Sequence, residues 1–426
     1  MAVYELMKDS KLPWIGAIPS HWHIIRIKEL MQNVSEKNHP NATVLSLYRE
    51  HGVLPKDSRD DNHNVTSLDT ASYKFVRIGE LVINKMKAWQ GALGVSDYEG
   101  IVSPAYYVCR FTSDKINTKY FHYLIRCKAY AQEFERLSTG MRVGQWDLGI
   151  DDFMCTPAII PPIDEQTAIA AYLDDQCAKI DSLIAEAKAS IEEYKQWKAS
   201  LIFEAVTKGL DPNVEMKDSR VEWIGKIPSS WSMHRIRINY SIISGNGFSP
   251  ALQGVTEGDL PVCKASDISI AGKVITSAAN FISYETANAN RFNIVPAGSI
   301  IFAKIGEAMK KNNRAICGVP CCIDNNCQAL VPEEIDSSYS YYLLRCIDMA
   351  WFDNAGTIPC ISNSKLKDCH IPFPTIHEQE EIAEFLDCKC SEIDSLVREK
   401  QELIIDFEQY KHSLIYETVT GKRKVV

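Results

Sequence analysis

Two blocks of this 426-residue sequence occur twice in the same order, and only a fold built on an internal repeat accommodates that. Lys8 to Trp22 returns as Lys217 to Trp231. Ten of the fifteen positions are identical at an offset of 209, among them Trp14/Trp223, Gly16/Gly225, Pro19/Pro228 and Trp22/Trp231. A second block begins at Glu165-Gln166 and runs through Leu173, Asp174 and Cys177 to Ile180-Asp181-Ser182-Leu183. It returns 213 residues later, from Glu378-Gln379 to Ile393-Asp394-Ser395-Leu396. Residues 23–158 and 232–370, between the blocks, show no visible repetition. The layout is therefore constant, variable, constant, variable, constant. Shared parts of a duplicated chain are framework, and diverged parts meet different things.

The second block reads as a long helix. Pro161-Pro162 breaks the chain ahead of it, Asp164 offers an N-cap carboxylate, and Thr375 with Glu378 forms a capping-box pattern in the other copy. No Gly or Pro occurs from Glu165 to Thr207. Apolar residues recur at Leu173, Cys177, Ile180, Ile184, Ala187, Ile191, Tyr194, Leu201 and Ala205, a heptad seam interrupted by Lys198. The second copy runs Leu386, Cys390, Ile393, Val397, Ile404, Phe407 and Leu414, interrupted by Lys400 and Lys411. Each helix spans about 43 residues, roughly 64 Å at 1.5 Å per residue, with Gly209 and Gly421 as its stops. A lone apolar seam needs a partner in water, and the nearest partner is the other copy, packed antiparallel. Two unrelated surface helices are the plainer alternative.

The net charge of −9 argues against a simple polyanion binder, but it is unevenly spread. Residues 161–216 carry net −6 and residues 374–426 net −5, while 1–160 and 217–373 carry +1 each. The two balanced stretches can still present basic faces. No window reaches the roughly 18 unbroken apolar residues of a membrane helix. Met1 to Leu12 lack the apolar core of a secretory signal, so a cytoplasmic location is expected, with the fourteen cysteines as thiols. Cys317, Cys321, Cys322 and Cys327 cluster, and Cys388 and Cys390 lie close, yet the spacing matches no zinc knuckle and no metal is expected.

The variable stretches read as α+β domains. Leu81-Val82-Ile83, Ala105 to Val108 and Ile300-Ile301-Phe302 have strand composition, and Asn117–Phe134 and Ser338–Phe352 read as one helix each. There is no GxxxxGK[ST] phosphate loop, no Asn-Pro-Pro-aromatic tetrapeptide, no HExxH and no GxSxG, which favours a binding protein over an enzyme. What these stretches do hold is basic, amide and aromatic residues beside turns. In the first they are Tyr48, Arg49, Lys56, Arg59, Lys85, Lys87, Trp89, Gln90, Arg142 and Gln145. In the second they are Asn246, Phe248, Lys264, Lys304, Lys310, Lys311 and Arg314. Arg, Asn and Gln suit base edges, and Lys suits phosphates, so these are the candidate DNA-binding residues. The plainer alternative is that many are solvated surface lysines.

Taken together, Trp14-Ile15-Gly16 with Ile18-Pro19 and Trp22, their return at Trp223 to Trp231, and the helix starts at Pro161–Gln166 and Pro374–Gln379 resemble the specificity subunit of type I restriction–modification systems. Gly79-Glu80-Leu81-Val82-Ile83-Asn84-Lys85-Met86 through Gly91, with Ser103-Pro104-Ala105-Tyr106, is similar to one class of that family's recognition domain. Ala297-Gly298-Ser299-Ile300-Ile301 with Lys304 and Gly306 is similar to another. The resemblance implies two target-recognition domains, 1–160 and 214–373, and two conserved spacer helices, 161–213 and 374–426, antiparallel and related by a pseudo-two-fold repeat. It implies a non-catalytic subunit that reads a split sequence in double-stranded DNA. It also implies two modification (methyltransferase) subunits and restriction (endonuclease/translocase) subunits as partners. S-adenosylmethionine, ATP and Mg would belong to those partners and none to this chain. A coiled-coil adaptor without DNA contact is the alternative.

Overall fold

The computed structural model describes residues 4–49, 51–58, 70–140, 146–354 and 356–425. The chain packs as two units, one of residues 1–188 and 401–426, the other of residues 189–400. Each unit holds one head, the start of the helix that leaves that head, and the end of the helix that leaves the other copy. The two long helices are α1 (Ile163–Lys208, 46 residues) and α2 (Ile376–Val419, 44 residues).

The repeated residues explain each unit's frame. Met7–Asp9 pairs antiparallel with Ala17–Pro19, and Met216–Asp218 with Lys226–Pro228. The hairpin delivers a tryptophan to the core, Trp22 in one unit and Trp231 in the other, both buried. Burying an indole leaves its N–H in need of an acceptor. Trp22 Nε1 donates to Glu165 Oε2 and Trp231 Nε1 to Glu378 Oε1, each at 3.1 Å. The neighbouring glutamine ties down the loop ahead of the helix. Gln166 Oε1 accepts from the Asn117 N–H (2.8 Å) and Gln379 Oε1 from the Asp336 N–H (2.9 Å), while their amides donate to the carbonyls of Pro161 and Pro374. The Glu-Gln signature is thus a joint between helix, hairpin and head.

Thr375 closes the expected capping box: its Oγ1 accepts from the Glu378 N–H (3.3 Å) and its own N–H donates to Glu378 Oε2 (3.0 Å). Asp164 does not take the N-cap place expected of it. The helix already begins at Ile163, straight after the proline pair, so Asp164 sits with Glu165 in the first turn, where carboxylates meet the free N–H groups. At the other ends Gly209 (φ 76°) and Gly421 (φ 73°) take the left-handed turn that stops each helix.

Within each unit the helices run antiparallel. In the first, Lys411 meets Asp181 (2.6 Å) while Arg423, further along, meets Tyr172 (3.4 Å). In the second, Lys198 meets Asp394 (2.6 Å). Two of the seam's three polar interruptions are therefore ion-paired, and the pairs are repeat copies, since Lys411 corresponds to Lys198 and Asp394 to Asp181. Cys177, Ile180 and Ile184 are buried in one unit, and Ile202, Ala205, Leu386, Cys390 and Ile393 in the other.

Each head is α+β. The first centres on a four-stranded antiparallel sheet in the order Met31–Val34, Tyr106–Phe111, Leu81–Asn84, Leu93–Val95. Leu81 and Ile83 point into the core shared with the helices, and Val82 into a second cluster with Val108, Leu45 and Val53. Both faces being covered accounts for an unbroken apolar strand. The second head has a five-stranded sheet in the order Tyr240–Ser244, Cys327–Pro332, Ile300–Ala303, Arg314–Cys317, Val274–Ile275, with the last pair parallel. The strands of a three-stranded sheet, Phe281–Ile282, Leu260–Cys263, Cys322–Ile323, alternate with these along the chain.

Two expectations need correction. Asn117–Phe134 is not one helix but two, Thr118–Arg126 and Lys128–Leu137, with Cys127 extended between them (ψ 153°). Tyr120 and Tyr130 both reach strand Pro157–Ile160: Tyr120 Oη donates to the Ile159 carbonyl (2.9 Å) and Tyr130 Oη to that of Pro157 (3.2 Å). In one unbroken helix, ten residues at 100° per step leave the two rings about 80° apart and roughly 15 Å apart along the axis. Likewise Ser338–Phe352 divides into helix Ser337–Arg345 and a 3₁₀ turn Met349–Phe352 capped by Asp348.

The second correction is that the heads do repeat. Asn117 and Asp336 cap equivalent helices, and Tyr120, Tyr123, Leu124 and Arg126 recur as Tyr339, Tyr342, Leu343 and Arg345, an offset of 219. The function of the match is visible. Tyr120 Oη also reaches the Val419 carbonyl at the end of α2 (3.2 Å), and Tyr339 Oη reaches that of Val206 at the end of α1 (3.2 Å). Tyr123 donates to Asp174 (2.7 Å) and Tyr342 to Asp387 (2.6 Å).

Candidate nucleic-acid interface

The same offset of 219 links the central strands. Gly79 (φ 84°) and Gly298 (φ 83°) turn into Leu81–Asn84 and Ile300–Ala303, and each strand ends on a lysine, Lys85 or Lys304. A returning loop meets that lysine's backbone in both heads. The Leu148 N–H donates to the Lys85 carbonyl and the Ile361 N–H to the Lys304 carbonyl, each at 3.0 Å. A short helical turn follows, Ala88–Gln90 in one head and Gly306–Lys310 in the other. Each head therefore presents a cation at the end of a rigid, fully buried strand, flanked by a turn and a loop. Sites on rigid elements with loop edges are where recognition groups are usually placed.

The first head gathers Lys85, Lys87, Trp89 and Gln90 here. Lys85 Nζ bonds Asp147 Oδ2 at 2.8 Å, which raises its pKa. Lys87 is exposed. The Trp89 ring lies 5.3 Å from that of Trp146, tilted, and its Nε1 donates to the Met86 carbonyl (3.0 Å). Tyr48, Arg49 and Lys56 belong to a separate hairpin, Leu45–Tyr48 with Gly52–Pro55. Arg126 fixes that hairpin beside strand Leu93–Val95, donating to the carbonyls of Arg49 and Leu93 at 2.8 Å each. Arg59, Arg142 and Gln145 lie outside the described residues.

In the second head Lys304, Lys310 and Lys311 surround the short helix. Lys310 pairs with Glu307 (2.6 Å), which raises its pKa, and Lys311 is exposed. A groove beside them is lined by Ser266, Ser269, Lys311 and Asn313. Lys264 stands 5.2 Å over the Phe248 ring, a cation–π contact. Asn246 is occupied within the protein: its Oδ1 accepts from the Asn293 N–H (2.8 Å) and its Nδ2 donates to the Arg291 carbonyl (3.4 Å).

Arg314 is a correction. It is 2% exposed in strand Arg314–Cys317, and its guanidinium donates to the carbonyls of Asn312 and Ile347 and to Asn312 Oδ1. Burial pulls its pKa down to about 9. It holds two loops together and presents nothing to a phosphate. The fold also brings Ser266, Ser269 and Asn313 to that groove and Trp146 to Trp89, by proximity in space that no sequence spacing signals. The clustered cysteines pack in the second head's core, with Cys317 Sγ 3.4 Å from Cys321 Sγ and burial raising Cys322 to about 11. Among the described residues no three His, Cys, Asp or Glu are arranged to hold a metal ion.

The family model for the type I restriction modification DNA specificity domain matches residues 19–193 and again 250–404, so each match covers most of one head and the first part of the long helix that leaves it. The chain belongs to this family. It is 23% identical to the type I restriction enzyme MjaVIII specificity subunit of Methanocaldococcus jannaschii, over 96% of this chain and 94% of that one. It is 24% identical to the EcoR124I/EcoR124II specificity subunit of Escherichia coli over 52% of this chain and 51% of that one. Its fold is similar to a chain from a structural study of complex assembly and conformational transition in the type I R-M system (TM-score 0.70, 15% identity, 94% of this chain and 98% of that one). It is also similar to the HsdS subunit of Thermoanaerobacter tengcongensis (TM-score 0.52, 15% identity, 95% and 98%). A specificity-domain chain with its framework duplicated carries two heads, and here their strand-end sites share a scaffold and differ in side chains. Among the described residues no helix is long and apolar enough to cross a membrane.

Proposed function

We propose that this chain is the DNA-specificity subunit of a cytoplasmic type I restriction–modification complex. Each head reads one half of a split target in double-stranded DNA, and the helix pair carries two modification subunits. Catalysis, S-adenosylmethionine, ATP and Mg reside in the modification and restriction subunits. The observation that carries this reading is the repeated strand-end site, Lys85 in one head and Lys304 in the other, with equivalent backbone hydrogen bonds and unlike neighbours. A lysine at such a point suits a phosphate, which fixes register, while the differing turn and loop residues suit different bases.

The test is a head exchange in the assembled complex. Replacing residues 23–158 with the corresponding segment of another specificity subunit is expected to change one half of the methylated sequence and leave the other. An unchanged target contradicts the reading. A coiled-coil adaptor without DNA contact would show affinity for DNA that does not fall steeply with salt.

A further inference from the structure

Each strand-end site sets its lysine beside a large apolar side chain that stands in water. In the first head this is Met86, 47% exposed, between Lys85 and Lys87. In the second it is Ile358, 65% exposed, on the loop that returns to Lys304. Neither hangs from a slack loop. The Met86 N–H donates to Oδ1 of the buried Asn84 (3.2 Å), and the Met86 carbonyl accepts from Trp89 Nε1 (3.0 Å). Ile358 is followed by Pro359, whose carbonyl accepts from the Gly306 N–H (2.8 Å), and by Cys360, which bridges to Ile305. The Cys360 N–H also donates to Asp353 Oδ1 at the start of the same loop (3.0 Å). The backbone is held and the apolar group is left outside. A fixed, exposed apolar side chain on a binding surface marks a contact made in the complex.

What a duplex offers such a group is narrow. In each head the returning loop is joined to the lysine by the 3.0 Å backbone bond, so two chain segments lie side by side at the tip. That is the breadth of a two-stranded ribbon, which the major groove, about 12 Å wide, admits and the minor groove, about 6 Å wide, does not. Along the major-groove edge the bases present hydrogen-bond donors and acceptors and one apolar feature, the C5-methyl group of thymine. A methionine or isoleucine can pack on that methyl and can pair with none of the polar groups around it. The two heads reach this arrangement from different segments, the turn after the strand in one and the returning loop in the other. A side chain inherited by both copies does not explain it.

We infer that Met86 and Ile358 are thymine readers, each packing on the C5-methyl group of one thymine in the half-site that its head binds. This rests on the function proposed above and adds to it the chemistry of one base in each half.

The experiment uses the full chain assembled with its modification subunits, and duplexes carrying the target found by methylome sequencing. In one half-site at a time deoxyuridine replaces thymine, which keeps the base pair and removes the methyl. Equilibrium binding by the wild-type complex is expected to weaken about fourfold for the one buried methyl lost, in either half. Met86→Ala is expected to weaken binding to the thymine duplex by at least as much and to abolish the preference for thymine over deoxyuridine in the first head's half alone. Ile358→Ala should do the same in the other half. Met86→Leu and Ile358→Leu, which keep an apolar group in place, should retain the preference. The wild-type comparison decides on its own if an alanine variant folds poorly. A wild-type complex that binds thymine and deoxyuridine duplexes alike, or a half-site without an A·T pair, overturns the assignment for that head. A preference that survives the alanine variant also overturns it: with binding unchanged another side chain meets the methyl, and with binding weakened equally on both duplexes the residue is a wedge between bases. A complex with no sequence-selective binding to any duplex overturns the proposed function instead.

Discussion

The two heads place a lysine at the same point of the same strand, and they treat it differently. Lys85 is held by Asp147 at 2.8 Å, whereas Lys304 has no ion pair among the described residues. The backbone around them is matched, down to the 3.0 Å bond that each carbonyl accepts from the returning loop. Duplication has kept the scaffold and altered the charge at its tip. The frame shows the opposite pattern. Trp22 and Trp231, Glu165 and Glu378, and Tyr120 and Tyr339 repeat with their partners unchanged. A frame must serve the same joint twice, and a reading surface must not.

The largest expected difference between the units comes from acid. His122 is half-buried, and loss of solvent, with the Arg126 guanidinium nearby, holds it down to about 3; its Nδ1 accepts from the Val95 N–H (3.1 Å). The unfolded histidine takes up its proton near pH 6.5, and the folded one does not until about 3. The unfolded state therefore binds more protons in that window, and stability falls as pH drops through it, by roughly 4 kcal/mol at the lower end. The second head has Tyr341 at this place. Hydrogen exchange at pH 4 against pH 7 is expected to show the first unit opening preferentially. The excess should vanish in His122→Asn; equal loss in both units would break the comparison.

Next come the helix stops. A Cβ on Gly421 would overlap the Pro19 ring, while one on Gly209 would come no nearer than 3.3 Å, to the Trp231 ring. Both glycines have positive φ, so Ala is strained at either. Gly421→Ala is expected to cost about 3 kcal/mol and Gly209→Ala about 1–2. Denaturant unfolding of the two variants sharpens the comparison, and equal costs would contradict it.

The buried tyrosine bolts should be equivalent. Tyr120→Phe and Tyr339→Phe each remove a hydroxyl that reaches the end of a long helix, at about 1–2 kcal/mol apiece. Thermal melts that differ between them by more than that would show that the joints are not copies.

The smallest effects are at the reading tips. Lys304→Ala is expected to weaken DNA binding by the complex and to lower the slope of log K against log salt by about 1. Lys85→Ala should change both less, because Asp147 already offsets that charge, and Asp147→Asn should strengthen binding. The reverse order in a salt titration would remove the electrostatic distinction drawn between the heads.

Much of the frame was legible because its constraints are local and repeated. Heptad spacing over forty residues, prolines before each helix and glycine after it leave few alternatives. The joint residues were legible as a motif but not as a mechanism, since the tie from Trp22 to Glu165 spans 143 positions. The heads were hidden by shifted offsets. The repeat runs at 209, 213 and 219 in different places, so matching Tyr120 to Tyr339 required the helices to be seen in place. Arg314 was misjudged because Lys310-Lys311-Asn312-Asn313-Arg314 reads as a basic run, whereas the strand begins at Arg314 and carries it inward. Ser266 and Asn313, 47 positions apart, meet at one groove that no spacing rule announces.

The most direct measurement of the central claim is the methylome of cells carrying the assembled system, before and after exchange of one head. The account predicts a single motif of two short defined tracts around an undefined gap, with one tract replaced by the exchange and the gap retained. A continuous motif, or an exchange that rewrites both tracts, would contradict it.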